Sequence, residues 1–148
     1  MIRKATIADV GRMAEIIVYN NRKYYYPIFK DIEYSFQEFN VLSVAEQYRM
    51  DENFLKNTYL FQDTVVKGFI CVIDQEVKKL YVDSFFQNEG IGQQLLLFAI
   101  NNMKASHLWV LEKNKGAIRF YERYGFHPDG ERAFEEGTTE VLLHMVRL

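Results

Sequence analysis

The sequence predicts a mixed α/β (α+β) single domain, residues 1–148, with a mostly antiparallel sheet and helices on both faces. Three observations predict it. Three strand-like runs in the middle of the chain are joined by very short connections. A helical run then separates two further strand-like runs, Glu76 to Val82 and His107 to Leu111, which makes a βαβ unit with parallel strands. The length of 148 residues and a hydrophobic content of 49% suffice for one core.

The elements follow from periodicity and punctuation. Ile2 to Ile7 alternates weakly and reads as an edge strand. Asp9 is placed to cap a helix in which Val10, Met13, Ile16 and Ile17 recur at helical spacing. Tyr24-Tyr25-Tyr26-Pro27 is expected to break that helix near Asn21. Ser35 to Met50 reads as a second amphipathic helix, with Phe36, Phe39, Val41, Leu42 and Ala45 on its apolar side. Thr58 to Phe61, Val65 to Ile73 and Glu76 to Val82 read as antiparallel strands, joined by the short turns Gln62-Asp63-Thr64 and Asp74-Gln75. A helix through Gln93 to Met103 and a strand at His107 to Leu111 follow. Asn114 to Tyr124 is a helix stopped by Gly125. Phe126 opens a strand, Gly130 to Thr138 reads as a loop or hairpin, and Glu140 to Leu148 alternates as the last strand. The order is β-α-α-β-β-β-α-β-α-β-β.

Composition excludes several classes. A net charge of −2 without a basic cluster argues against nucleic acid and membrane surfaces as partners. Cys71 is the one cysteine, so no internal disulfide forms, and its apolar neighbours mark it as core. The histidines, His107, His127 and His144, are scattered singly, without metal-ligand spacing, and no metal is expected. There is no secretory leader and no apolar run near about 18 residues, so a soluble cytoplasmic protein is expected.

Gln87-Asn88-Glu89-Gly90-Ile91-Gly92 stands between a strand and a helix. Glycine allows a tight turn and close ligand approach. The first amides of the helix have no intrahelical partner, and the helix dipole favours an anion in front of them. The hexapeptide is neither a dinucleotide fingerprint, since Leu95 stands where GxGxxG needs glycine, nor a Walker loop.

Two segments together resemble the GCN5-related N-acetyltransferase superfamily. Leu80 through Gly92 is similar to that family's strand plus its Q/R-x-x-G-x-G/A loop. Val110 through Phe126 is similar to its V-x-x-x-N-x-x-A-x-x-F-Y-x-x-x-G-F signature. The resemblance implies the family's single-domain fold and an N-acetyltransferase that uses acetyl coenzyme A as donor, without a metal. The loop Gln87, Asn88, Glu89, Gly90, Ile91, Gly92 and Gln93 would hold the pyrophosphate. The splayed strand end Leu80, Tyr81 and Val82 would hydrogen-bond the pantetheine arm. Glu89 departs from the pattern, since many members carry a basic or small residue there.

Acetyl transfer needs a neutral amine and a protonated leaving thiol. Their ordinary pKa values, about 10.4 and 8.5, call for a base and an acid. Asn114, Ala117, Ile118 and Tyr121 share one helix face. From the residues alone Tyr121 is a core aromatic and Asn114 a helix cap. The resemblance makes Tyr121 the acid and Asn114 a cofactor ligand. Glu76 takes the position of a base in one branch of the family, and a solvated residue after a turn is the other reading. Tyr24 and Tyr25 would wall the acceptor site, where aromatics could bracket a flat or cationic substrate. A non-catalytic acyl-CoA sensor is the competing function. The last strand could pair across a homodimer edge.

Overall fold

The computed structural model describes residues 1–148. β1 (Ile2–Lys4) is shorter than expected, and Ile7–Asp9 form a 3-10 turn instead. Asp9 does not cap the next helix through its side chain. Its carboxylate turns back, accepting the Thr6 amide at 2.8 Å and pairing with the Arg3 guanidinium at 2.8 and 2.9 Å. α1 (Val10–Asn20) buries Val10, Met13, Ala14, Ile16, Ile17 and Val18.

The tyrosine-proline stretch does not stop the chain from coiling. The backbone widens into a π-turn over Asn21–Tyr25 and continues as α2 (Tyr26–Phe29), ending at Lys30 with φ 57°. Pro27 falls in the first turn of α2, where the amide it lacks is not required. The long helix expected from Ser35 to Met50 is also divided. A π-turn at Tyr34–Glu38 is followed by α3 (Val41–Arg49) and α4 (Glu52–Lys56). Asn40 caps α3 by accepting the Ser43 amide, and Asp51 caps α4 by accepting that of Phe54, both at 2.9 Å. The extended backbone at Phe39 resets the helical phase. Phe36, Val41 and Leu42, expected inside, are therefore exposed, while Val44, Tyr48 and Phe54 are buried.

β2 (Thr58–Asp63), β3 (Val65–Ile73) and β4 (Glu76–Val82) form the expected antiparallel meander. Asp74 and Gln75 both have positive φ, 52° and 67°, as a two-residue hairpin with the right twist needs. α5 (Ile91–Met103) leads to β5 (His107–Leu111), which is parallel to β4. α6 (Lys115–Arg123) precedes β6 (Phe126–Phe134) and β7 (Val141–Arg147). The strand β6 thus takes in Gly130 to Phe134, which the sequence suggested as loop. A bulge between Pro128 and Arg132, with Gly130 at φ 92°, keeps the pairing across that stretch.

The sheet order is β1-β2-β3-β4-β5-β7-β6, with β4–β5 its one parallel pair. Helices cover both faces. Alternation along β3 sends Phe69 and Cys71 to the cluster built with α1 and α3, and Ile70 and Val72 to the cluster built with α5. Each such buried Phe or Ile stabilises the fold by about 1.5–3 kcal/mol. No helix is long and apolar enough to cross a membrane.

Candidate functional site

The parallel strands β4 and β5 pair only at Glu76–His107 and Val77–Leu108. On the other side of β4, Val72 faces Val77 and Cys71 faces Lys79, so Lys78 is an extra, bulged residue. A bulge bends and twists its strand. Beyond it β4 leaves β5, earlier than the expected splay at Leu80. A cavity of about 730 Å³ opens at the split.

That cavity brings together residues far apart in sequence. β4 contributes Glu76, Leu80 and Tyr81, the α6 end contributes Asn114 and Tyr121, and the π-turn contributes Tyr25. Asn114 caps α6 by accepting the Ala117 amide at 3.1 Å, which leaves its Nδ2 without a partner in the chain. Tyr121 is held edge-on by Phe120 and Phe126, with ring centroids 5.3 and 5.9 Å away. Burial pushes the Tyr121 hydroxyl well above its usual range, and the nearby Tyr25 adds to this. Burial likewise raises Tyr25 and Tyr81. Burial lowers Lys79, which also lines the cavity. Glu76 is half-buried and pairs with Lys78 at 3.0 Å.

The loop from Gln87 to Gln93 lies outside the cavity walls, in front of α5. Asn88 and Gly90 take left-handed backbone, φ 65° and 79°. The amides of Ile91, Gly92 and Gln93 open the helix without an acceptor in the chain. A Cβ at Gly92 would meet Phe120 and Val82 at an ordinary 3.7 Å, so internal packing does not demand glycine there. Asp83 anchors the approach to the loop. It accepts the Phe85 amide at 2.9 Å and pairs with Arg12 at 2.6 Å. Gln87 fixes the loop itself, donating to the Val82 carbonyl at 3.3 Å and accepting from the Tyr24 hydroxyl at 2.7 Å. Tyr24 is therefore a support of the loop and not a cavity wall, while its neighbour Tyr25 is a wall. The two are consecutive residues of the π-turn, so their side chains leave it in different directions.

Two arrangements were not legible in the sequence. Asn20 and Asn21 leave their Oδ1 atoms buried without a donor, and Asn21 lines the cavity. The histidines are not all scattered: His107 Nδ1 lies 3.0 Å from His144 Nε2, and His144 Nδ1 lies 2.7 Å from Asp129. Strands β5, β7 and β6 bring them side by side. The Glu131 amide and His144 hold the Asp129 carboxyl below its usual range. The ligand atoms of Asp129, Glu131 and His144 all fall within 4.8 Å, which is close enough to share a cation. Trp109 packs on His144 at 4.8 Å and lines the cavity.

Known proteins share this chain's family and fold. The acetyltransferase (GNAT) domain family matches residues 55–128. An uncharacterized N-acetyltransferase of Methanocaldococcus jannaschii is 43% identical over 56 residues, 34% of this chain and 25% of that protein. A probable spermine N(1)-acetyltransferase of Bacillus subtilis subsp. natto is 32% identical over 62 residues, 38% of this chain and 41% of that one. The matches thus span less than half the length of these relatives. Among solved structures, apo YjaB from Escherichia coli has a TM-score of 0.76 at 21% identity, covering 100% of this chain and 97% of that one. The PaiA N-acetyltransferase of Thermoplasma acidophilum, solved with coenzyme A, has a TM-score of 0.66 at 22% identity, covering 97% and 96%.

Proposed function

The chain belongs to the acetyltransferase (GNAT) domain family, and on that premise we propose that it is an N-acetyltransferase moving an acetyl group from acetyl-CoA to a primary amine. One observation carries the reading: the cavity at the β4–β5 split places Glu76 and Tyr121 in one space. Bound acetyl-CoA would supply the activated acyl carbonyl. The residues present fit such a donor. The free amides at Ile91 to Gln93 suit a pyrophosphate, with Gln87, Asn88, Glu89 and Gly90 shaping the turn. The backbone of Leu80, Tyr81 and Val82 faces no strand on the β5 side and suits an amide-bearing arm, and Asn114 Nδ2 is free to donate.

Direct attack in a ternary complex moves protons at both ends of the reaction. Glu76 takes the proton of the acceptor ammonium, the neutral nitrogen then bonds to the carbonyl carbon, and the second proton on that nitrogen passes through solvent to restore the Tyr121 hydroxyl. Tyr121 Oη gives its proton to the sulfur as the carbon–sulfur bond breaks. Burial holds Tyr121 neutral, which keeps that proton available. The relative whose name gives spermine as its substrate supports an amine acceptor.

A binding-only sensor is favoured by one observation, the engagement of Glu76 by Lys78 at 3.0 Å. A single experiment separates the readings. The purified protein is offered acetyl-CoA with amino acids, polyamines, aminoglycosides and peptide N-termini, and thiol release is followed. Amine-dependent release supports the enzyme. Coenzyme A binding without transfer to any amine supports the sensor.

A further inference from the structure

The turn between β6 and β7 adds a carboxylate to the cavity that no motif points to. Its backbone is ordered. Glu135 donates its amide to the Glu140 carbonyl at 2.8 Å, and its own carbonyl accepts from the Thr138 amide and hydroxyl at 3.0 and 2.9 Å. Glu135 lines the cavity, and its side chain takes no part in these bonds. Its charge reaches three other side chains, raising the hydroxyls of Tyr25 and Tyr34 and opposing the fall at Lys79. It forms no ion pair with Lys79.

Further acceptors line the same cavity, alongside the Lys79 ammonium. Asp31 lines the cavity too, its Oδ1 taken up by the Tyr34 amide at 3.0 Å. Asn21 adds a buried Oδ1 that lacks a donor. Tyr25 and Tyr34 line the cavity with them. Carboxylate, unpaired carbonyl and aromatic face all favour a group with several N–H donors and a positive charge. The reacting amine cannot be that group, because it must lose its charge to attack.

We propose that Glu135, with the Tyr25 and Tyr34 rings beside it, selects an acceptor carrying a second cationic nitrogen, so that the substrate is a diamine or longer polycation. The proposal rests on the reading of the cavity as the acceptor site. Glu135 is a specificity residue and performs no chemistry. A diamine would place one end near Glu76 and Tyr121 and the other at Glu135.

The test is calorimetric titration of cadaverine and of pentylamine, which differ by one terminal ammonium, into the protein saturated with coenzyme A. The wild-type protein binds cadaverine about tenfold more tightly, the effect of one charge-assisted contact. Glu135→Gln, which keeps the turn's main-chain bonds, abolishes the preference and leaves pentylamine binding within about twofold. Equal binding of the two amines by the wild type, or an unchanged preference in Glu135→Gln, overturns the proposal. Acetyl transfer, followed in parallel samples with acetyl-CoA in place of coenzyme A, scores the enzyme reading separately, because the preference is read from binding alone.

Discussion

Replacing Tyr121 by Phe removes one oxygen from the cavity and little else. The ring keeps its edge contacts with Phe120 and Phe126 at 5.3 and 5.9 Å. The Tyr121 hydroxyl has no hydrogen-bond partner within the chain, so no donor is stranded. Stability should therefore change by less than about 1 kcal/mol. The effect on turnover follows from acidities. Burial raises the Tyr121 hydroxyl above its ordinary value of about 10, while a thiol ionises near 8.5 in water. Proton transfer from phenol to thiolate is uphill on those values. The cavity that raises the phenol also raises the thiol by desolvation, so the gap narrows but does not vanish. The proton is then only partly transferred at the transition state. The contribution belongs at the low end of general acid catalysis, about 100-fold in kcat or ~2.7 kcal/mol. Steady-state kinetics with acetyl-CoA varied against a saturating diamine measures it. The KM for acetyl-CoA should stay within about threefold of the wild type, because the lost interaction forms mainly in the transition state. Turnover within threefold of wild type would refute the acid role. So would a loss that appears entirely in the acetyl-CoA KM.

The other predictions concern the loop, the strand and the buried phenols. Glu89 is exposed beside the free amides of α5. Glu89→Lys should tighten coenzyme A binding by about two- to fivefold at low salt and less at high salt, and an unchanged or weaker Kd in calorimetry would count against the loop as the pyrophosphate site. A Cβ at Gly68 would lie 2.8 Å from the Tyr81 carbonyl oxygen, a backbone atom that cannot swing away. Gly68→Ala should cost about 2 kcal/mol, or about 4–8 °C in Tm, and an unshifted melt would show that β3 and β4 yield more easily than their pairing implies. Burial raises the hydroxyls of Tyr25, Tyr48, Tyr81 and Tyr121 in the folded chain. With folded values above unfolded ones, the unfolded chain releases protons first as pH rises. Stability is complete below about pH 10 and falls above it by about 1.4 kcal/mol per pH unit for each such tyrosine. Urea midpoints that stay flat from about pH 9 to 11 would contradict that burial.

Much of the fold was readable because its signals are local. Strands β3, β4 and β5 begin and end where alternation and turn residues place them, and Asp74-Gln75 makes the short hairpin its length implied. The helical segments between α1 and α4 were misread because two π-turns and the Asn40 cap shift the phase of the apolar pattern. A window of helical spacing cannot register an added residue per turn. Asp9 differs for another reason: the turn begins three residues earlier with Thr6 at its cap, so Asp9 takes the third position, where its carboxylate accepts the Thr6 amide and pairs with Arg3.

The site divides along the same line. The family, the glycine turn ahead of α5 and the cap at Asn114 are legible in the residues alone, because a helix N-terminus and its cap lie within a few consecutive residues. Long-range packing settles which tyrosine lines the cavity, where β4 parts from β5, that His107 meets His144, and that Glu135, Tyr25 and Asn21 line one cavity. Those outcomes depend on strand register, on a bulge at Lys78 and on helical phase. Each is fixed by the summed packing of the two core clusters, where a shift of one residue turns a side chain to the opposite face.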